Sequence, residues 1–419
     1  MNQNKKPTTL QRLSENFVSL VVLQFINYLL PLFLIPYLIH ILGIEAFGIY
    51  SFVLAIMMYG VQMSDYGFEL SATYHISLHR ENKLKRDEIF SSVLTIKLLI
   101  AVTYLTVLTL LIFFIDKLFL YKELIFLSFG MIFGHLLFPL WFFQGVEKMR
   151  YIMYLNSFSK LLFFVSVFLF VTQESDLYLL ILLNSISTLI IGILALYVAL
   201  NRFDIKLSFQ PWNRLLYYLK DGWYIFTSKF AIEFYTTANI IILGFFASPM
   251  VIGYYAVSIK IIHALGSLLD PLTRTVYPYL VNVYQGSNDN FIVRNKQLSG
   301  VIFLIMFPVA LLVGYFSEEI LSLIIGTKVM PLNIEILQVF SISLMVYLYG
   351  SQFTNMLVTI KATKFLNQIL FLTAGVNVVF SPILVYFYGV MGMVWLSVSI
   401  AFLLTLGKGY YLFVKLRIS

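Results

Sequence analysis

The chain has 419 residues, 60% of them hydrophobic and 11% charged, with a mean hydropathy of +0.89; a soluble surface needs roughly a quarter of the composition charged, so lipid is the expected solvent. Its net charge of +8, from 28 Lys+Arg against 20 Asp+Glu, is spread over short loops with no continuous basic stripe, which argues against nucleic acid as a partner. The sequence has no cysteine, which excludes disulfides, thiolate metal sites and cysteine nucleophiles.

A membrane helix needs roughly 20 apolar residues to cross a hydrocarbon core about 30 Å thick. Twelve stretches qualify, predicted at about 13–41, 47–76, 89–115, 124–143, 151–171 and 178–200, then 215–246, 251–279, 298–316, 334–360, 366–387 and 393–416. Lys5, Lys6 and Arg12 lead into an apolar run too long for a cleavable leader, so the first helix is expected to stay in the protein. Barrel strands alternate polar and apolar positions, and runs such as 161–170 do not. The longest loops, 201–214 and 281–296, are too short for a core of their own. No GxxxxGK[ST] pattern occurs, which argues against ATP-driven work within this chain.

Orientation follows from Lys and Arg when the loops are assigned alternately to two sides. One side receives twenty of them: those of the N-terminus, Arg80 to Arg86, Lys148 and Arg150, Arg202 to Lys220, Arg294 and Lys296, Lys361 and Lys364, and Lys408 to Arg417. The other receives Lys117, Lys122 and Lys328. The expectation is a multi-pass protein of a bacterial inner membrane with both termini cytoplasmic. A misplaced span would have scrambled this alternation, so the charges support the span count.

Sliding the chain against itself by 205 positions pairs Gly48 with Gly253, Tyr50 with Tyr255, Asp65 with Asp270 and Tyr74 with Tyr279, among others. Six spans separate the copies, so the halves share one orientation and an axis along the membrane normal would relate them. Coincidence among Ile, Leu and Phe is the competing account. The expected fold is an all-α polytopic membrane protein of about twelve transmembrane helices, in an N-terminal six-helix lobe (1–207) and a C-terminal one (208–419) around a central cavity.

Five basic residues fall within spans: Lys97, Lys160, Lys229, Lys260 and Arg274. Intramembrane charge is expensive and by default faces the bundle interior, so these five are the candidate lining of a cationic cavity that receives an anionic solute from the cytoplasmic side. Lys97 and Lys160 can equally snorkel to the headgroups. Glu233 follows Lys229, and Arg274 follows Asp270, by one helical turn, which allows i,i+4 pairing. Glu233 then reads as a proton carrier or as the partner that makes Lys229 tolerable, and Asp65 and Asp270 as gating groups or structural pairs. His135 and His263 lie deep in their helices, with His263 on nearly the same face as Lys260; core hydrogen bonding and a proton relay are both compatible with this. No metal-ligand spacing and no nucleophile, base and acid set can be assembled, so neither a cofactor nor an enzymatic activity is expected. Pro31 and Pro36 in the first helix are candidate hinge positions.

Leu42-Gly43-Ile44-Glu45-Ala46-Phe47-Gly48-Ile49-Tyr50 with Asp65-Tyr66-Gly67, Trp141 to Met149, Ile252 to Tyr255, and Asn377 through Pro382 to Gly392 together resemble the polysaccharide-transporter branch of the multidrug/oligosaccharidyl-lipid/polysaccharide (MOP) superfamily. Within it the chain is most similar to the O-antigen repeat-unit flippases (Wzx type). The resemblance implies movement of undecaprenyl-pyrophosphate-linked oligosaccharide from the cytoplasmic to the periplasmic leaflet by alternating access. A proton or a sodium ion is a candidate coupling partner, and a polysaccharide polymerase and a chain-length regulator are candidate protein partners. A cation-coupled multidrug exporter of the same superfamily is the alternative, although a cavity for organic cations would be acidic.

Overall fold

The computed structural model describes residues 30–418 except 235, 269, 327 and 328, and leaves the side chains of 30–32, 268, 270–272, 274, 275, 278, 417 and 418 undescribed. The described residues form helices and no strand. In chain order these are α1 (Leu30–Asp65), α2 (Phe68–Leu78), α3 (Lys83–Phe114), α4 (Asp116–Leu120), α5 (Lys122–Leu127), α6 (Phe129–Leu137), α7 (Leu140–Gly145), α8 (Met149–Phe170) and α9 (Leu177–Arg202). The second half continues with α10 (Trp212–Glu233), α11 (Ala238–Phe246), α12 (Pro249–Leu268), α13 (Asp270–Gly286), α14 (Asn288–Tyr315), α15 (Ser317–Ile325), α16 (Pro331–Thr359) and α17 (Thr363–Ile418).

Nine segments among the described residues are long and apolar enough to cross a membrane, or ten if the bent pair α10 and α11 is one span. The difference from twelve lies in two long segments, Phe33–Leu78 and Thr363–Leu416. Gly43 (φ +81°) breaks the first and Gly389 (φ +61°) the second, in a backbone region where a side chain is strained and glycine is not. Each long segment therefore covers two of the predicted stretches, and most of the first stretch lies outside the described residues, Pro31's side chain included. α5, α6 and α7 together make the fourth predicted span, interrupted at Pro139, which has no N–H to continue a helix.

Helices α1 to α9 pack mainly on one another, with α9 against α6 and α8 and α2 against α7. Helices α11 to α17 do the same, with α16 against α14, α12 and α17. The most extensive contact between these two groups is α1 on α12. It is close because a Cβ on Gly48 would overlap the Pro249 carbonyl and one on Gly253 the Ile44 carbonyl. Gly48 and Gly253 are the pair that the 205-residue repeat aligns, and they meet each other at this crossing.

Candidate functional site

Two cavities with no lining residue in common open among the helices. The first, about 540 Å³, is walled by α1, α3, α6, α8 and α9 and receives Lys260 from α12. The second, about 1090 Å³, is walled chiefly by α10, α12, α16 and α17. Helix α12 stands between them and presents Lys260 to the first and His263 to the second. A three-residue step turns a helix by about 300°, so the two side chains lie about 60° apart on nearly the same face, yet they line different cavities, which therefore adjoin along this edge of α12.

Lys97, Lys160 and Lys260 line the first cavity, together with Asp65, Glu69 and His135. The Lys97 side chain is 3% exposed and its Nζ is 2.7 Å from Asp65 Oδ1. This lysine is thus an internal ion-pair partner and does not snorkel. Lys260 holds its ammonium 5.0 Å from the centre of the buried Phe47 ring, a favourable position for a cation.

The expected Lys229 to Glu233 pair is not formed. Lys229 Nζ instead meets Glu69 Oε2 on α2 at 2.5 Å, and Glu233, at the last residue of α10, accepts a hydrogen bond from Thr237 Oγ1 at 2.5 Å. An acid on a neighbouring helix outcompetes the one a turn away because lysine's long stem reaches across the α10/α2 contact. Glu69 lines the first cavity and Lys229 the second, so this ion pair stands between the two. The side chains of Asp270 and Arg274 lie outside the described residues.

Further ties cross the same seam. His75 Nε2 is 2.9 Å from Asp221 Oδ2, and Arg214 Nη1 is 3.1 Å from Glu88 Oε2. Tyr66 stacks on Phe226, 4.6 Å between ring centres at 13°. All of these join the α1–α2 turn, α2 and the start of α3 to α10, at the end of the bundle where the Lys- and Arg-rich loops lie. In those loops the Arg80 guanidinium, hydrogen-bonded to Glu147, holds that carboxyl below the usual carboxylate range, and Lys83 does the same for Asp204.

The quoted motifs acquire physical roles here. In Asp65-Tyr66-Gly67 the acid holds Lys97, the ring stacks on α10, and Gly67 (φ +74°) lets the backbone turn with Ile225 and Phe226 so near that a Cβ would collide. Tyr50 accepts a hydrogen bond from Asn184 Nδ2 at 2.8 Å. Its repeat mate Tyr255 faces the second cavity, 3.3 Å from Ser397 Oγ. Asn377 donates to the Phe234 carbonyl (2.6 Å) and to Asn239 Oδ1 (2.8 Å), and Asn239 donates to Ser397 (2.9 Å). Trp141, Phe142 and Phe143 are buried, and Thr73 donates to the Trp141 carbonyl at 3.1 Å.

Sequence reasoning missed Glu69 and misassigned Lys408. Glu69 follows Asp65 by one turn and was visible as an acid inside a span. Lys408, counted among the loop charges, is 7% exposed in α17, lines the second cavity and donates to Thr354 Oγ1 at 3.0 Å. Among the described residues, no three His, Asp or Glu come together as a metal-ligand set.

Residues 13–283 match the family described as "Polysaccharide biosynthesis protein". A protein of Escherichia coli (strain K12) named "Putative O-antigen transporter" is 34% identical over 66% of this chain and 66% of its own length. One of the same name from Shigella dysenteriae is 28% identical over 91% of this chain and 95% of its own. Among solved structures, the lipid II flippase MurJ in an inward closed conformation superposes with a TM-score of 0.76 at 16% identity, over 93% of this chain and 86% of that one. An inward-facing MATE-family multidrug resistance transporter of the MOP superfamily superposes with 0.64 at 14%, over 95% and 99%.

Proposed function

The chain belongs to the polysaccharide biosynthesis protein family, and we propose that it is a flippase moving undecaprenyl-pyrophosphate-linked O-antigen or related repeat units across a bacterial inner membrane, from the cytoplasmic to the periplasmic leaflet. The observation that carries this reading is the charge balance of the first cavity. Each of its carboxylates is held by a lysine, Asp65 by Lys97 and Glu69 by Lys229. Lys260, which lines it too, has no carboxylate partner among the described residues and carries the excess positive charge. In a low-dielectric enclosure such a cation favours a diphosphate strongly. An organic cation would meet repulsion, which disfavours the multidrug reading that the fold by itself would accommodate.

In this reading the chain divides into lobes 1–207 and 208–419, with both termini and the basic loops in the cytoplasm. Alternating access opens the α2/α10 seam to admit the lipid headgroup and the α1/α12 crossing to release it. Lys260 and Lys160 engage the diphosphate, and Arg274 supplies a further cation. Asp65, Asp270 and Glu233 exchange partners or a coupling proton or sodium ion between states. A polysaccharide polymerase and its chain-length regulator receive the product.

Deletion of the gene in its own strain should cause lipid-linked oligosaccharide to accumulate and surface polysaccharide to be lost. The wild-type gene should reverse both effects and Lys260→Ala, at equal membrane abundance, should not. Normal surface polysaccharide in the deletion strain would remove the function, and normal polysaccharide with Lys260→Ala would remove that lysine's role.

A further inference from the structure

The second cavity differs from the first in chemistry as well as place. Among the described residues no Asp or Glu lines it, and its polar lining is drawn from Ser, Thr, Asn, Tyr and His with two lysines. Both lysines are engaged by protein groups: Lys229 by Glu69, and Lys408 by Thr354 Oγ1 (3.0 Å) and the Gly350 carbonyl (3.5 Å). Lys408's partners are uncharged, so it remains a single cation at one edge of this cavity, and the rest of the polar lining is a set of neutral groups that are mostly both donors and acceptors. Its wall is fixed by the Asn377, Asn239, Ser397 and Tyr255 network, in which the Asn377 side chain is fully buried.

We propose that this cavity is the glycan subsite of the transporter, a binding site for the uncharged sugar rings of the lipid-linked oligosaccharide, while the diphosphate stays in the first cavity. The inference rests on the flippase reading and goes beyond it by assigning the two parts of one ligand to two cavities. A sugar hydroxyl both donates and accepts, as do the amides of Asn355 and Asn367 that line the space, the Asn367 oxygen also accepting from Ser228 Oγ at 3.0 Å. A volume of about 1090 Å³ is at the upper end of small-molecule sites, which run about 300–1,000 Å³, and so has room for several rings. The Glu69–Lys229 pair, with one member lining each cavity, marks where diphosphate and first sugar would meet. Neutral groups that are hydrogen-bonded in the complex discriminate by being left unpaired with the wrong sugar, a strong source of specificity.

The test uses the full-length protein in detergent and native mass spectrometry with two probes. One is sugar-free undecaprenyl diphosphate; the other is the lipid-linked oligosaccharide extracted from the source strain lacking this gene. Wild type should bind both, and the glycan-bearing lipid about tenfold or more tightly. Asn355→Ala with Asn367→Ala should abolish that preference and leave affinity for the sugar-free lipid unchanged. Lys260→Ala should weaken both probes by the same factor. A wild type with equal affinity for the two lipids, or a double variant that keeps the preference or weakens both alike, overturns the glycan subsite. Unchanged binding of the sugar-free lipid certifies the fold of the double variant; if it loses both probes, Asn355→Asp and Asn367→Gln, assayed separately, must alter the preference for the proposal to stand. Failure of wild type to bind either lipid counts against the flippase reading itself.

Discussion

Lys97 is tolerated inside the membrane because Asp65 lies 2.7 Å away, and its side chain is 3% exposed. Only the lysine is buried, the Asp65 side chain being 38% exposed, so removing Asp65 leaves a buried cation uncompensated at less than the full cost of breaking a fully buried pair, whereas replacing both partners by apolar groups is often neutral. Asp65→Ala is therefore expected to lower the thermal unfolding temperature in detergent more than Asp65→Ala combined with Lys97→Met does. A double variant at least as unstable as the single one would show that the pair is not what holds this site. Lys260 has no carboxylate within ion-pair distance among the described residues, only the Phe47 ring. Its truncation should leave the fold intact and weaken diphosphate-lipid binding by about 2–5 kcal/mol, the usual loss when one side of a desolvated charge contact is removed.

At the scale of elements, the approach of α1 to α12 depends on two glycines that a sequence repeat had already paired. Gly48→Ala would drive a methyl group into the Pro249 carbonyl, backbone that cannot rotate away. Overpacking of this kind typically costs about 1–3 kcal/mol, visible as a lower unfolding temperature. Gly300→Ala in α14, where a Cβ meets nothing within 4 Å, is the matched control and should be neutral or slightly stabilising through helix propensity. The loop ties behave differently. Glu147 is exposed beside Arg80, and because its carboxyl is held low, this tie is present at neutral pH and is lost only as pH falls through that lowered value. Being exposed, it contributes order to the loop more than stability.

For the whole molecule, the ion pair Glu69–Lys229 and the His75–Asp221 hydrogen bond tie α2 to α10, and the ion pair Glu88–Arg214 ties α3 to α10, while glycine packing closes the α1/α12 side. A charge seam can part and reform more readily than an interdigitated backbone contact, since water replaces the lost partners. Asp221→Ala with Lys229→Ala should thus widen this end, measured as longer spin-label distances between α2 and α10. The charge reversal Glu69→Lys with Lys229→Glu should restore the wild-type distance. A distribution unchanged by the double alanine variant would assign closure to the Tyr66–Phe226 stack and the Gly67 contact instead.

Much of this was legible in the chain itself. Apolar stretches of membrane-crossing length and the one-sided placement of Lys and Arg are local properties, read without knowing any neighbour, and they gave the helical membrane fold; the Gly48 and Gly253 correspondence pointed to a contact that the structure contains. Lys97, Lys160 and Lys260 were recognisable as interior charges because a cation within an apolar run has few places to go. The partners of those charges were not legible. Lys229 takes Glu69 rather than Glu233, Lys408 is inside a cavity rather than a loop, and Lys260 and His263 serve different cavities although three residues apart. Which acid a lysine reaches depends on how two helices cross, and which side of a helix borders open space depends on what packs on the other. Both are properties of tertiary packing, and so the tertiary structure, not the sequence, divided the interior into one cavity lined by lysines and carboxylates and another lined mostly by neutral hydrogen-bonding groups.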